Sequence, residues 1–500
     1  MSRQKTYNNA FASADAKLCE AFFDKLDTGA GLPRACIARE APRLAACRVS
    51  RIPAVARCLD KILSKVRYLY IEIGEASIKI MTVVFCGRIL VPGADASGDW
   101  RRNMKDLKHL LYFENLLQEA QNELILQAQS EGKVCVAYVC ENTPEPLLNL
   151  PGAFSTRLRA PRTGSMEMAT YYMTSFLCEY SRALLERAIE GGYNFADCLI
   201  TPDGCTMMNR AVENMELLNA LGKEKEKFFF EYMEIPMKAD DNGLNLYTLQ
   251  CKNHILKPLH EHYGIDISDK AIRQAVAEHN RVCELIRAIG EFRKGDKPRI
   301  TGYEFHVITL ATYAAPKYLI IDKLEETLEE LKTREPDEKP YRARVLVVGS
   351  EVDDCGFIKL IEDTGAYVCA DRFCYGSFPG RDPIELNDDE DALTQICRQY
   401  MYRGQCPRYM NTAKMNGRRE YVNALAKEYG ADGIIYQQIK FCDPWAYERM
   451  MGSHILHDDY GYPVLSVDRP YNISTSGQMR TRVQAFVESI EIKKIQGGDK

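Results

Sequence analysis

The stretch Ala431-Asp-Gly-Ile-Ile-Tyr-Gln-Gln-Ile-Lys-Phe-Cys442, followed at once by Asp443-Pro-Trp, decides the fold of this chain. A short apolar run that ends in a cysteine and a helix start is typical of a buried strand in a parallel sheet. The segment Phe195-Ala-Asp-Cys-Leu-Ile-Thr-Pro-Asp-Gly-Cys205 has the same form. Open α/β sheets bind ligands at the carboxyl ends of their strands, so both terminal cysteines are predicted to lie at such an edge.

Strands and helices alternate on either side of both stretches. This alternation predicts an α/β protein with two doubly wound parallel-sheet domains of the Rossmann or flavodoxin type. The polar, Pro-containing segment Thr333-Arg-Glu-Pro-Asp-Glu-Lys-Pro is read as a linker. The predicted organisation is an N-terminal extension without clear periodicity over 1–130, a first α/β domain over 131–240, a helical region over 241–335 and a second α/β domain over 341–492.

Three local predictions concern the surroundings of the cysteines. Residues 165–190 are predicted to form one long helix that contains Cys178 and ends at Gly191-Gly192. Thr143 is predicted to cap a helix whose first residue is Pro144. Within the N-terminal extension, residues 66–91 have a strand-rich pattern.

Composition excludes several classes of protein. The 500 residues are 46% hydrophobic and 27% charged, with a formal net charge of −5, which is ordinary for a globular protein without a basic surface. Neither a nucleic acid nor a membrane is therefore an expected partner. The sequence contains no P-loop, no dinucleotide-binding glycine motif and no Gly-x-Ser-x-Gly elbow. If the reaction needs ATP or a nicotinamide, a partner is expected to handle it.

The chain has 18 cysteines and a polar start that lacks the apolar core of a secretory signal. We therefore expect a cytoplasmic protein whose cysteines are reduced thiols, metal ligands or core residues rather than disulfides. No Cys-x-x-Cys pair is present, so a ferredoxin run and a zinc ribbon are both excluded. Any metal site has to be assembled from cysteines that are distant in the sequence.

The candidate ligands are Cys178, Cys205 and Cys442, offered by two domains to one cleft. Soft thiolates select iron–sulfur clusters or zinc. The alternative is that these three are core residues, because cysteine is among the most buried residue types. Cys374 and Cys406 are weaker candidates for the same cleft.

Basic side chains are weaker candidates for a functional site than the cysteines. Arg480 and Arg482 either bind a phosphate near a helix start or lie on an exposed helix face. His254, His260 and His262 lack the spacing of a helical zinc pair and are read as a solvated face.

Several longer motifs resemble those of the 2-hydroxyacyl-CoA dehydratase and benzoyl-CoA reductase family. The resemblance rests on Ile434-Ile-Tyr-Gln-Gln-Ile-Lys-Phe-Cys442-Asp-Pro-Trp-Ala-Tyr-Glu448, on Asp371-Arg-Phe-Cys-Tyr-Gly-Ser, and on Ser476-Gly-Gln-Met-Arg-Thr-Arg-Val-Gln. In the first unit, Cys178-Glu-Tyr-Ser-Arg and Asp203-Gly-Cys205-Thr match the two earlier ligand positions. The resemblance covers roughly residues 132–490, and the C-terminal motifs are specific.

The resemblance implies a function and a set of partners. Cys178, Cys205 and Cys442 would bind a [4Fe–4S] cluster whose fourth iron faces an acyl-CoA thioester. A homologous second subunit would complete a heterodimer or higher assembly, and an iron–sulfur ATPase activator would inject one low-potential electron. Elimination of water through a ketyl radical would follow. Glu145 is a candidate substrate contact, or else a first-turn carboxylate that favours the helix dipole.

Three alternatives to the dehydratase subunit stay open at this stage. The first is a subunit of an ATP-dependent aromatic ring reductase of the benzoyl-CoA reductase type. The second is a non-catalytic scaffold or electron-relay subunit. The third is an oxidoreductase with a larger cluster that also uses Cys374 and Cys406.

Overall fold

A computed structural model describes residues 105–161, 163–222, 225–336, 341–377, 382–472 and 477–497. Most of the predicted N-terminal extension, including the strand-rich pattern at 66–91, lies outside the described residues. None of the helices in the described part is long and apolar enough to cross a membrane.

Two parallel four-stranded sheets form the frame of the described chain. The first has the order β2-β1-β3-β4 and the second the order β6-β5-β7-β8. The strands are β1 (Val134–Tyr138), β2 (Ala153–Arg157), β3 (Cys198–Pro202), β4 (Phe229–Met233), β5 (Ala343–Gly349), β6 (Ala366–Phe373), β7 (Gly433–Ile439) and β8 (Val464–Arg469). The predicted fold of two doubly wound α/β domains is confirmed, and the two sheets have the same strand order.

Fifteen α-helices of the described residues surround the sheets. They are α1 (Leu110–Leu116), α2 (Glu123–Ser130), α3 (Glu167–Met173), α4 (Glu179–Ile189), α5 (Thr206–Leu217), α6 (Asp241–Cys251), α7 (Lys257–Tyr263), α8 (Asp269–Glu291), α9 (Gly302–Ala314), α10 (Lys317–Thr333), α11 (Gly356–Glu362), α12 (Ala392–Arg403), α13 (Thr412–Glu428), α14 (Asp443–Asp458) and α15 (Gly477–Gly497). A 3₁₀ turn, Glu145–Leu148, and a π-helical turn, Lys252–Leu256, complete the order.

Helix α9 lies between the two sheets. It contacts β2 of the first sheet and β6 of the second, and most of its side chains are buried. A capping box of Thr301 and Glu304 starts it. The Glu362 carboxylate of the second domain accepts hydrogen bonds from the N–H groups of Gly302 and Tyr303, at 2.9 and 3.0 Å. The helical region therefore packs against both α/β domains.

Both sheets place a turn where their strand order reverses, between β1 and β3 and between β5 and β7. Such a switch point is where open α/β sheets form their ligand crevice. At Gly349 the chain passes so close to β7 that a Cβ would lie 1.7 Å from the carbonyl oxygen of Gln437, and φ is +140°. Only glycine fits there, so the exit of β5 is fixed by sterics.

Two local predictions need correction, and one strand is not predicted. The long helix predicted over 165–190 is two helices, α3 and α4, separated by a break in which Thr174 has a φ of 64°. The helix predicted after Thr143 is the 3₁₀ turn, and the Thr143 hydroxyl donates back to the carbonyl of Val139 at 3.0 Å instead of capping. The sequence pattern does not predict strand β2, because Ala153–Arg157 is a short segment without strong β-formers at either end.

His306, a buried residue of helix α9, is expected to make the stability of the fold depend on pH. Burial lowers the pKa of His306 from 6.5 to about 4. The unfolded chain therefore takes up a proton as the pH falls through 6.5, whereas the folded chain stays neutral until about 4, so stability falls on acidification. Between pH 7 and pH 5 the loss is about 2 kcal/mol.

The His306→Met variant should lack this contribution of His306 to the pH dependence of the free energy of unfolding. We expect urea unfolding of the metal-free wild-type chain to lose about 2 kcal/mol more than the variant between pH 7 and pH 5. Equal losses in both proteins would contradict the assignment.

Candidate functional site

The three predicted cysteines occupy the same kind of position, the residue directly before a helix. Cys178 precedes α4, Cys205 precedes α5 and Cys442 precedes α14. Backbone N–H groups of the first helical turn favour the thiolate form at each of them, from Ser181 beside Cys178 and from Trp445 beside Cys442. A helix N-terminus lowers the pKa of a cysteine by this means. The break before α4 is what gives Cys178 this placement.

The structure brings these three thiols together from two domains. Burial raises the pKa of Cys205 to about 12, and a charge on Cys178 raises it further. Burial, then Cys178 and Cys205, likewise raise the pKa of Cys442. Cys178 belongs to one cluster of buried side chains, and Cys205 and Cys442 both pack against that cluster. As bare thiols they would be protonated at neutral pH, so three thiolates here require a cation.

Cys205 and Cys442 are equivalent positions of the two domains. Tyr138, which ends β1, pairs with Ile200 of β3, and Cys205 follows Ile200 by five residues. Gly349, which ends β5, pairs with Gln437 of β7, and Cys442 follows Gln437 by five residues. The repeated fold therefore presents one thiol from each switch point to the cleft.

Within the described residues, no three Cys, His, Asp or Glu side chains converge on one point as ligands of a single metal ion do. An iron–sulfur cluster takes its thiolates on different irons, so its ligands stand further apart. The donor set, three thiols without a histidine, fits such a cluster better than a single ion.

A second group of thiols lies beside the first, formed by Cys140, Cys374 and Cys406. A charge on Cys406 raises the pKa of Cys140, of Cys374 and of Cys205. The Cys140 sulfur lies against Gly204, where a Cβ would be 3.2 Å away.

The two groups together contain three cysteines from each domain. Cys374 and Cys406 are the weaker candidates that the sequence offers for this cleft. Cys140 is a site residue that sequence reasoning misses, although its place two residues beyond β1 is a signal that could have found it.

A small cavity opens beside this second group. Its volume is about 40 Å³, and it is lined by residues of both domains, among them Glu141, Asn142, Tyr400 and Gln405. It has room for only a few water molecules. One carboxylate oxygen of Glu141 and the amide oxygen of Gln405 are buried without a hydrogen-bond partner within the described residues.

Charged groups from both domains line the cleft. Burial raises the pKa of Glu351 to about 7, against the opposing effect of Arg157, whose guanidinium is 3.4 Å from its carboxylate. The Cys374 thiol also hydrogen-bonds Glu351. Arg157 stacks on the Tyr375 ring at 3.7 Å. A carboxyl group that titrates near neutrality is thus held beside the thiols.

Direct hydrogen bonds fix the two domains across the cleft. The carboxylate of Asp353 accepts from the N–H of Ala160 at 3.2 Å and from the hydroxyl of Tyr471 at 2.7 Å. The Arg159 guanidinium donates to the Asp353 carbonyl at 2.9 Å. The Glu179 carboxylate, next to Cys178, accepts from the N–H of Tyr471 at 2.6 Å.

Glu145, predicted as a substrate contact, is only 4% exposed. One carboxylate oxygen accepts from Lys317 at 2.6 Å and from the Tyr138 hydroxyl at 2.9 Å, and the other lies 3.5 Å from His279. Contact with a substrate would therefore compete with a buried ion pair. Its catalytic role stays a prediction.

The remaining sequence candidates lie apart from the thiols. Arg480 and Arg482 are exposed on α15, and each donates to one backbone carbonyl. The His254 ring contacts the Glu231 carboxylate at 2.7 Å. Phosphate binding by the two arginines stays a prediction.

Comparison with known proteins identifies the family of the chain. The family model described as 2-hydroxyglutaryl-CoA dehydratase, D-component, matches residues 140–490. The chain belongs to this family. The match begins at Cys140 and includes both groups of thiols.

Curated relatives of this family member share low identity with it over nearly their whole length. The beta subunit of (R)-phenyllactyl-CoA dehydratase from Clostridium sporogenes is 23% identical over 76% of this chain and 97% of the relative. The beta subunit of (R)-2-hydroxyglutaryl-CoA dehydratase from Acidaminococcus fermentans is 24% identical over 73% of this chain and 95% of the relative. A benzoyl-CoA reductase subunit from Thauera aromatica is 21% identical over 71% of this chain and 91% of the relative.

Proposed function

We propose that this chain is the iron–sulfur subunit of an ATP-activated radical 2-hydroxyacyl-CoA dehydratase. The observation that carries the proposal is that Cys178, Cys205 and Cys442 each stand at a helix start and all belong to, or pack against, one buried cluster of side chains from both domains. These thiols would hold a [4Fe–4S] cluster. When bound, such a cluster supplies one-electron transfer.

The protein's own groups suit that role. Three helix N-termini direct backbone N–H groups and positive dipole ends toward the thiolates, which stabilises negative charge there. Glu351, whose pKa of about 7 lets it hold or release a proton near neutrality, lies beside Cys374 and Arg157. A substrate that loses its hydroxyl as water needs a proton donor, and Glu351 is placed to be one.

The proposed partners are a homologous second subunit, an iron–sulfur ATPase activator and an acyl-CoA thioester. An apolar surface next to the cleft supports association. The exposed rings of Phe176 and Phe441, one from each domain, contact each other with centroids 6.2 Å apart. Helix α3, before Phe176, exposes Met168 and Tyr171, and helix α14, after Phe441, exposes Tyr447, Met450 and Met451. Exposed large apolar side chains that form a patch mark an interaction surface.

Anaerobic metal analysis tests the cluster. We expect about four irons and four sulfides per chain in the wild type, lost on replacing Cys178, Cys205 or Cys442 singly by alanine. Cys198→Ala is the matched control, because Cys198 lies in strand β3, seven residues before Cys205, with its side chain fully buried in the core. Full iron content in all three cleft variants would contradict the proposed ligands.

An activity assay tests the reaction. The chain, purified anaerobically with its partner subunit, activator and ATP, is expected to convert a 2-hydroxyacyl-CoA to the enoyl-CoA with only catalytic amounts of electron donor. Consumption of electrons in proportion to product, with benzoyl-CoA as substrate, would instead identify a ring reductase. Turnover that survives Cys442→Ala in this chain would indicate a relay or scaffold subunit.

A second candidate function is favoured by Cys140, Cys374 and Cys406. Six thiols in one cleft exceed what a single [4Fe–4S] cluster with an open iron uses. They would fit a larger iron–sulfur cluster in an oxidoreductase that takes low-potential electrons from the ATPase activator and passes them to a substrate.

Iron content separates the two candidates. The larger cluster predicts more than about four irons per chain, with iron lost in Cys140→Ala, Cys374→Ala and Cys406→Ala as well as in the first three variants. The dehydratase predicts that these three additional variants keep about four irons.

A further inference from the structure

We propose that Arg372 is a positioning residue that supplies a fixed positive charge and free N–H donors to the thiolate-bound cluster. The inference rests on the proposed iron–sulfur site and deepens it. It assigns to this chain a residue that sets the reduction potential of the site without binding iron.

The backbone positions Arg372 among the three second-domain cysteines. It lies on β6, two residues before Cys374. Its Nη2 donates a hydrogen bond to the carbonyl of Gln405, the residue before Cys406. Its guanidinium carbon lies 4.7 Å from the ring centre of Trp445, three residues after Cys442.

Two of the three guanidinium nitrogens of Arg372 lack a hydrogen-bond partner among the described residues. Arg372 is 1% exposed, yet its Nε and Nη1 have no hydrogen-bond partner within the described residues. Among the same residues, no carboxylate forms an ion pair with Arg372. A buried charge left without a counter-charge destabilises the folded state. Its presence therefore indicates an anionic group that the cleft holds in the working protein.

Two other buried arginines, one in the helical region and one in the second domain, each form an ion pair with a carboxylate. Arg293 pairs with Asp371 at 2.6 Å, and Arg418 pairs with Glu448 at 2.6 Å. Arg372 has no such carboxylate partner among the described residues, and its charge favours the thiolate of Cys406, in the second group of thiols. A cluster ligated by thiolates carries net negative charge, which increases on reduction, so the arginine charge stabilises the reduced form more than the oxidised form.

The first domain offers a counterpart. Arg157 ends β2, the edge strand that corresponds to β6, and it is 2% exposed. Its Nε also lacks a partner within the described residues. Arg157 is partly neutralised by Glu351, whereas Arg372 is not, so the unbalanced charge comes from the second domain.

An anaerobic redox titration followed by electron paramagnetic resonance tests the inference. Arg372→Gln is expected to keep iron and sulfide but to make reduction about tenfold less favourable, a shift of about 59 mV to more negative potential for a one-electron couple. Arg372→Lys, which keeps the charge, should restore most of the wild-type potential. Arg480→Gln removes one exposed positive charge and should leave the potential unchanged.

The outcomes separate this inference from the function on which it rests. A wild-type chain that holds no iron would overturn the proposed cluster itself. A loaded Arg372→Gln chain with the wild-type potential would overturn only the role of Arg372. If Arg372→Gln fails to load, the Arg372→Lys chain decides: a Lys chain that loads iron and has the wild-type potential shows that the cluster needs the charge, whereas a Lys chain that also fails to load, or whose potential is displaced by about 59 mV, contradicts the role of the charge.

Discussion

The placement of three cysteines at the first turns of three helices is the constraint on which the site depends. In a parallel sheet every strand ends at the same edge, and the helix that follows starts there. Cys205 and Cys442 take this position after β3 and β7, and Cys178 takes it after the break before α4. Because both domains have the same strand order, Cys205 and Cys442 take equivalent positions beside the two switch points.

Electrostatics disfavours three bare thiolates in this arrangement. Burial raises the pKa of Cys205 and of Cys442, and the neighbouring thiols raise both further. Backbone N–H groups at the helix N-termini oppose this at both thiols, but the thiols still favour protonation. The guanidinium groups of Arg157 and Arg372 lower the pKa of the second group of thiols in the same way. In the proposed cluster, iron would supply the missing positive charge, and the same helices and arginines would then stabilise the excess negative charge of the ligands.

The sequence predicts the fold well because the strand–helix alternation is local. It places Cys205 and Cys442 correctly at strand ends for the same reason. It assigns Cys178 to the middle of a helix because the break depends on Thr174 in a left-handed conformation, which threonine rarely adopts and no sequence pattern announces. Cys140 and the charge of Arg372 escape prediction because their importance arises from contacts between segments that are far apart in the sequence.

The interface between the domains determines how well the site can be preorganised. Cys178 and Cys205 belong to the first domain and Cys442 to the second, so their separation is set by how the domains are held. Asp353 and Tyr471 bind the loop after β2, and Glu179, adjacent to Cys178, binds the backbone of Tyr471. The hydrogen bonds that join the domains thus end one residue from a proposed ligand. A metal site is only as precise as the groups that support its ligands, and here that support is the domain interface itself.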